Sequence, residues 1–265
     1  MNRIVPGILL AIFWLLLLLK GSALFFSVVA LGIAFIAADE YLRMATSEVL
    51  RTRERIFLNI VTILPVFSVT ITQGADFVTP SLVTAFLVLT GYFFYRYAKF
   101  KESYAFFSRL VFGLIYVGVL FSYIPLSRFL ENGAEWLVIA TAITAVSDSG
   151  AYFVGCSIGK NKLCPRISPK KTIEGALGGL FFAIIAAFAS AYVLLPHISP
   201  VKLGIGAVIL TIAGVAGDLT ESIIKRGTGV KDSGTWLRGH GGILDRIDSM
   251  LFAIPLLYFM LTLCA

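Results

Sequence analysis

Residues 175–195 read GALGGLFFAIIAAFASAYVLL, 21 consecutive positions without a charged side chain. A helix rises about 1.5 Å per residue, so roughly 20 such residues cross a hydrocarbon core of about 30 Å. Blocks of the same kind recur along the chain. Candidate spans run about 4–19, 22–40, 56–74, 78–98, 107–127, 134–155, 174–195, 202–224 and 248–264. The 265 residues are 58% hydrophobic and 14% charged, with a mean hydropathy of +0.91. That leaves too little polar surface to cover a soluble core. The expectation is an all-α polytopic membrane protein with about nine transmembrane helices. Pro65 in the third span is tolerated where neighbours re-satisfy the backbone. Arg109, near the start of the fifth, can snorkel to the interface.

The net charge is +7. In a soluble protein that would suggest nucleic-acid binding. Here cytoplasmic loops enriched in Lys and Arg explain it, and no nucleic acid is expected. With the N-terminus in the cytoplasm and nine alternating spans, 19 basic residues fall on the cytoplasmic side, and Lys20, Arg128 and Lys202 fall outside. One span more or fewer would scramble that asymmetry. It predicts a cytoplasmic N-terminus, an outer C-terminus and a bacterial-type inner, or cell, membrane location. The first span, preceded by Arg3 and followed by Gly21-Ser22-Ala23, reads as a retained span rather than a cleaved leader. Cys156, Cys164 and Cys264 suggest neither a disulfide framework nor a metal motif.

Residues 1–130 read as a transmembrane scaffold of about five helices. Asp39 and Glu40 close the second span, and Arg43 at i+4 from Asp39 makes a helix-end ion pair a sufficient explanation. The apolar first spans also offer a surface for a homodimer. Residues 131–265 read as a catalytic domain of about four helices and two large cytoplasmic loops, because ionisable groups at membrane depth are costly and mark functional sites.

Three segments carry the chemistry. In the sixth span Asp148, Tyr152 and Gly155 share one helix face. Asp148 is either a site residue or an acid paired to a loop lysine. The loop from Lys160 to Gly175 holds Arg166, Ser168, Pro169, Lys170, Lys171, Thr172 and Glu174 ahead of a helix. It suits a phosphate at a helix N-terminus, and equally a positive-inside loop with Ser168 or Thr172 as N-cap.

The strongest signal is GDLTESIIKRGTGVKDSGTWLRGHGGILDRID, residues 217–248. Asp218, Glu221, Ser222 and Lys225 form a polar stripe at i, i+3, i+4 and i+7. A glycine-rich loop with Lys231, Asp232, His240, Gly241 and Gly242 follows, and Asp245 and Asp248 open the last span. A helix dipole accounts for either acid singly. Two acidic helix ends around one basic, glycine-rich loop suit metal-assisted phosphoryl chemistry. Mg²⁺ takes one or two carboxylates and fills its other positions with phosphate oxygens and water. Lys and Arg neutralise developing charge, and glycines let backbone close on a polyphosphate. A second cation is compatible with this pattern. His240 is an acid, base or phosphate donor, or a loop residue that fixes the turn. His197 reads as a plain loop residue, and Trp14 and Trp136 as interface or packing aromatics.

The same segment resembles the phosphatidate cytidylyltransferases (CDP-diacylglycerol synthases). Their signature is matched without a gap at Ser222, Lys225-Arg226, Lys231-Asp232, His240-Gly241-Gly242, Ile243 and Asp245-Arg246-Ile247-Asp248. Asp148 with Ala151-Tyr152, and Ser168-Pro169, Lys171-Thr172 and Glu174-Gly175, extend the resemblance over roughly residues 134–255. One position departs: Arg238 stands where the family usually has Pro or Gly.

The resemblance implies a Mg²⁺-dependent nucleotidyltransferase of phospholipid biosynthesis, joining CTP to phosphatidic acid and releasing pyrophosphate. It implies Asp218, Asp245, Lys225, Lys171 and His240 as catalytic, with Asp218 and Asp245 the first metal ligands and Glu221 and Asp248 the next. Asp148, Ser168, Lys171, Ser222, Arg226, Lys231, Asp232, Gly241, Gly242 and Arg246 would bind nucleotide or phosphate. A CTP-dependent polyprenol kinase, similar in its C-terminal motifs, is the nearest alternative. An ion-coupled secondary transporter, using Asp148 and Asp218 as a relay, is another. It would favour paired repeats, which the sequence lacks, and has no need of the 231–246 loop.

Overall fold

The protein is described by a computed structural model. It describes residues 4–46, 50–99, 102–234 and 241–263. Arg3, Lys101, Arg238, His240 and Cys264 lie outside them. The helices are α1 (Ile4–Lys20), α2 (Ala23–Thr46), α3 (Thr52–Thr62), α4 (Leu64–Thr72), α5 (Val78–Arg96), α6 (Ser103–Gly113), α7 (Leu120–Arg128), α8 (Gly133–Ile158), α9 (Ile173–Leu194), α10 (Pro200–Gly227) and α11 (Leu244–Leu263). A π-helical turn, Leu114–Val119, joins α6 and α7 into one span.

Every apolar block expected to span is helical. Among the described residues, seven helices are long and apolar enough to cross a membrane. The block at 56–74 is not one straight helix. It is α3 and α4, bent by 47°. Pro65 explains the break, since its ring excludes the carbonyl of the preceding turn and it has no N–H to donate. It sits in the first turn of α4, where neither defect matters. Counted as one span, the pair makes eight, and the apolar stretch of α1, Leu9–Lys20, is shorter than these. The basic loop ahead of α9 has local order of its own. It folds as an antiparallel hairpin, β1 (Lys162–Cys164) with β2 (Ser168–Thr172).

The chain divides into two compact units. One is Met1–Pro6, Gly21–Leu130 and Thr228–Arg246. Here α2 packs against α3, α4, α6, the π turn and α7. Its buried face carries a run of alanines, Ala30, Ala34, Ala37 and Ala38. Small side chains let neighbouring backbones approach, which is how membrane helices gain dispersion energy without a hydrophobic drive between them. A methyl group on Gly113 would strike the Tyr41 ring, and one on Gly118 the Thr62 carbonyl. Buried Asn59 donates to the Phe35 carbonyl at 3.0 Å. The Glu54 carboxylate takes Arg96 through both terminal nitrogens, at 2.8 and 3.1 Å. Arg109 is exposed. It donates to the Ala45 carbonyl at the end of α2, at 3.2 Å, a favoured place for a cation.

The other unit is Gly7–Lys20, Glu131–Gly227 and Ile247–Ala265. Its most extensive contact joins α8 to α9. The buried residues of α9 are Gly175, Gly179, Ala183, Ala187 and Ala191, one every four positions. That spacing draws a single stripe without bulk along the helix. A methyl group on Gly179 would lie 2.7 Å from the Ser147 carbonyl oxygen of α8. Trp14 donates to Thr141 at 3.1 Å, so it is a packing aromatic.

Gly179→Leu should cost about 1–3 kcal/mol or more by overpacking this seam. The check is the unfolding temperature in detergent, which falls. Gly91→Ala is the control: it meets nothing within 4 Å and gains about 0.5–1 kcal/mol of backbone entropy if anything, so it leaves the temperature unchanged or raised.

Candidate active site

In the unit containing α8 to α10, four elements bring charged groups together. α8 gives Asp148, β2 gives Lys171, α10 gives Asp218, Glu221, Ser222 and Lys225, and α11 gives Asp248. Asp148, Asp218 and Asp248 are close enough for their charges to act on one another. Lys171 Nζ lies 2.5 Å from Asp218 Oδ2. Lys225 Nζ lies 2.5 Å from Glu221 Oε2, and Glu221 is fully buried. Ser222 Oγ reaches Asp218 Oδ1 at 3.4 Å. The polar stripe read from the sequence is therefore two i, i+4 pairs on successive turns of α10.

Glycines of α10 set this arrangement. A methyl group on Gly217 would collide with the Asp248 carbonyl of α11. One turn earlier, a methyl group on Gly214 would stand 3.4 Å from Thr144 of α8 and 3.6 Å from Ser249 of α11. Helices α8, α10 and α11 thus meet beside Asp218, which follows Gly217 directly.

Lys171 is placed by a different device. Thr172 is the N-cap of α9, and its Oγ1 accepts from the Gly175 N–H at 3.1 Å. Glu174 accepts from the Lys160 N–H at 3.1 Å and from Asn161 Nδ2 at 2.7 Å, and Ile173 N–H donates to the Asn161 carbonyl at 2.9 Å. These bonds pin both hairpin strands to the start of α9. Of the two expected N-caps, Thr172 serves. Ser168, half-buried, begins β2 opposite Cys164. Tyr152, expected on the face of Asp148, is 68% exposed, while Gly155 packs against Thr172 and Gly175. Arg226 is exposed.

In the other unit, Asp245 and the Gly241-Gly242 pair form a closed turn. Asp245 Oδ2 accepts from the Gly242 N–H at 2.7 Å and the Ser233 N–H at 3.1 Å. Gly241 has φ +80°, a conformation that only glycine adopts without strain. Lys231, Asp232 and Arg246 are exposed beside it.

Glu40 of α2 lies beneath this turn, 1% exposed. It accepts from the Ile243 N–H at 3.0 Å, the Leu244 N–H at 2.9 Å and Ser233 Oγ at 3.2 Å. A helix-end ion pair is thus right for Asp39, which binds Arg43 at 2.6 Å and Arg55 at 2.9 Å. It is wrong for Glu40. The available signal was that Arg43 is spent on Asp39, so the adjacent acid needed donors from elsewhere. Ser233 carried no signal of its own.

The acidic donors are all oxygen, which suits a hard divalent cation such as Mg²⁺. Among the described residues, no three Asp, Glu, His or Cys side chains form a ready metal cluster. A cation that completes its shell with phosphate oxygens and water requires none. Gly217→Ala should push α11 off α10 and misplace Asp218 against Asp248. A shift of about 1 Å is enough for a loss of about 100-fold in turnover, measured on protein still inserted in membranes.

The cytidylyltransferase family model matches residues 1–264. The chain is 36% identical over 263 residues to the phosphatidate cytidylyltransferase of Bacillus subtilis, covering 99% of this chain and 97% of that protein. It is 35% identical over 264 residues to that of Staphylococcus saprophyticus, covering 98% of each. That of Staphylococcus aureus is 46% identical over 147 residues, 55% of each chain. With a match across nearly its whole length and an acid–base centre built from the residues of its motifs, the chain belongs to the cytidylyltransferase family.

Proposed function

We propose that this membrane enzyme is a phosphatidate cytidylyltransferase: CTP and phosphatidic acid give CDP-diacylglycerol and pyrophosphate. The observation that carries the reading is the gathering of Asp148, Lys171, Asp218, Lys225 and Asp248 from four elements of one unit, in a chain similar along its length to proteins of that name.

In the reaction a phosphate oxygen of phosphatidic acid bonds to the α-phosphorus of CTP. The bond from that phosphorus to the bridging oxygen of the β-phosphate breaks, and the electron pair leaves with pyrophosphate. The attacking phosphate is largely ionised near neutral pH, so no strong base is needed. Lys171 and Lys225 bring two ammonium groups to the charge that builds on the equatorial and leaving oxygens. Glu221, closed on Lys225, fixes the position of that lysine. Asp148, Ser168 and Ser222 line the nucleotide site. Arg226, Lys231, Asp232, Arg246 and the Gly241-Gly242 turn take phosphates. Asp218 and Asp245 are assigned as the first ligands of Mg²⁺, with Glu221 and Asp248 as the next. When bound, the cation neutralises phosphate oxygens and aligns attacking and leaving groups.

The same reading has nine spans, the N-terminus in the cytoplasm, the C-terminus outside and the site at the cytoplasmic face. The lipid then never leaves the bilayer while CTP arrives from water. The 19-to-3 division of basic residues supports it. In this reading residues 1–130 serve as scaffold, residues 131–265 carry the chemistry, and a second copy packs through the apolar first spans.

Purified protein is incubated in detergent with CTP, Mg²⁺ and phosphatidic acid, and the products are identified. Pyrophosphate and CDP-diacylglycerol are expected; CDP would mark a kinase and overturn the reading. Asp245→Asn should abolish turnover in protein that is folded and inserted. Arg238→Pro should raise activity or leave it unchanged, since proline restores a preset turn.

A further inference from the structure

Glu40 belongs to α2, in the half of the chain whose sequence carries no reaction motif, yet its carboxylate is the most heavily used acceptor beneath the Asp245 turn. Both oxygens are engaged. Oε1 takes the Ile243 N–H at 3.0 Å, and Oε2 takes the Leu244 N–H at 2.9 Å and Ser233 Oγ at 3.2 Å. Those two N–H groups lie at the start of α11, where a helix has donors with no partner of its own and a partial positive charge. Glu40 therefore does for α11 what an N-cap does, from another helix and with a full charge.

Its influence passes to Asp245 by two short routes. Ser233, whose hydroxyl meets Glu40, accepts from the Asp245 N–H at 3.3 Å and donates its own N–H to Asp245 Oδ2 at 3.1 Å. Gly242, whose N–H holds Asp245 Oδ2, lies so close to Glu40 that a methyl group there would meet Oε2 at 2.5 Å. A methyl group on Gly234 would strike Glu40 as well. The turn is moulded on this carboxylate. A buried carboxylate without donors would be very costly, and the backbone of the turn supplies them.

We infer that Glu40 is a positioning residue for the cytidylyl transfer: it sets the turn that holds Asp245 and the Gly241-Gly242 backbone, and acts on the reaction only through them. The inference rests on the proposed reaction and extends it to a residue of the N-terminal half of the chain. It predicts a larger effect on turnover than on substrate affinity, because Glu40 meets the turn that takes phosphates and not the phosphates themselves.

The test uses the full-length protein in detergent with CTP, Mg²⁺ and phosphatidic acid. Glu40→Gln keeps the shape of the side chain but turns an NH₂ donor toward donors. It should lower kcat by about 100-fold and raise KM for CTP by less than about 10-fold, the split expected when catalytic geometry is lost and most of the binding is kept. Limited proteolysis should cut faster within residues 228–246 and at an unchanged rate elsewhere. Ser233→Ala should show a smaller loss, and the double variant should be no worse than Glu40→Gln, because both break one network. If Glu40→Gln does not accumulate, Ser233→Ala carries the same readouts.

Wild-type kcat in Glu40→Gln would overturn the inference. So would a loss that vanishes once activity is normalised to folded protein, or one that adds independently to that of Ser233→Ala. If the wild-type protein makes no CDP-diacylglycerol, the proposed reaction fails. Faster cleavage of 228–246 in Glu40→Gln would then still show the structural coupling, which separates the two failures.

Discussion

At Gly217 the backbone of α10 lies against the Asp248 carbonyl of α11, with no space for a side chain between them. The placement of two acids of the candidate site depends on that approach. Asp218 is the next residue on α10 and Asp248 is part of the contact itself, so helix packing and carboxylate placement are one constraint. Mutual repulsion of two acids would drive the helices apart if nothing opposed it. The seam of glycines at 206, 214 and 217 brings dispersion contacts that favour closeness, and Lys171 and Lys225 supply the counter-charge.

Lysines at such a place must be held as firmly as the acids. Lys225 is held by buried Glu221 one turn away on its own helix. Lys171 is held by the hairpin, whose ends are fastened to α9 by Thr172 and Glu174. α9 in turn sits on α8 along a stripe of glycine and alanine. The cation reaching Asp218 is thus anchored through a chain of contacts that begins with the absence of side-chain bulk in the bilayer. A long flexible side chain becomes a fixed charge because the backbone on either side of it has no freedom left.

The other unit reaches a similar end by different means. Here one buried carboxylate, Glu40, is met by the backbone N–H groups that open α11 and by the hydroxyl of Ser233. Asp245 is bound into the same turn by the Gly242 and Ser233 N–H groups. A glycine-rich segment has little structure of its own, and it takes its shape from the two carboxylates it encloses. The glycines read as room for a polyphosphate are first of all room for Glu40 and Asp245.

The sequence alone determined the membrane class, the helical blocks and the residues of the motif, because span length and charge placement are local properties that the bilayer reads directly. It also disclosed the polar stripe on α10, since residues at i, i+3, i+4 and i+7 share a face of any helix. Only the tertiary structure decided that Pro65 splits a span into α3 and α4, that the basic loop is a hairpin, and that Glu221 is fully buried. It alone gave Glu40 its donors, which stand 193 to 204 positions further along the chain. No local pattern encodes a contact over that separation. A buried acid declares in sequence that it needs partners, but which backbone groups meet it is settled by how the helices pack.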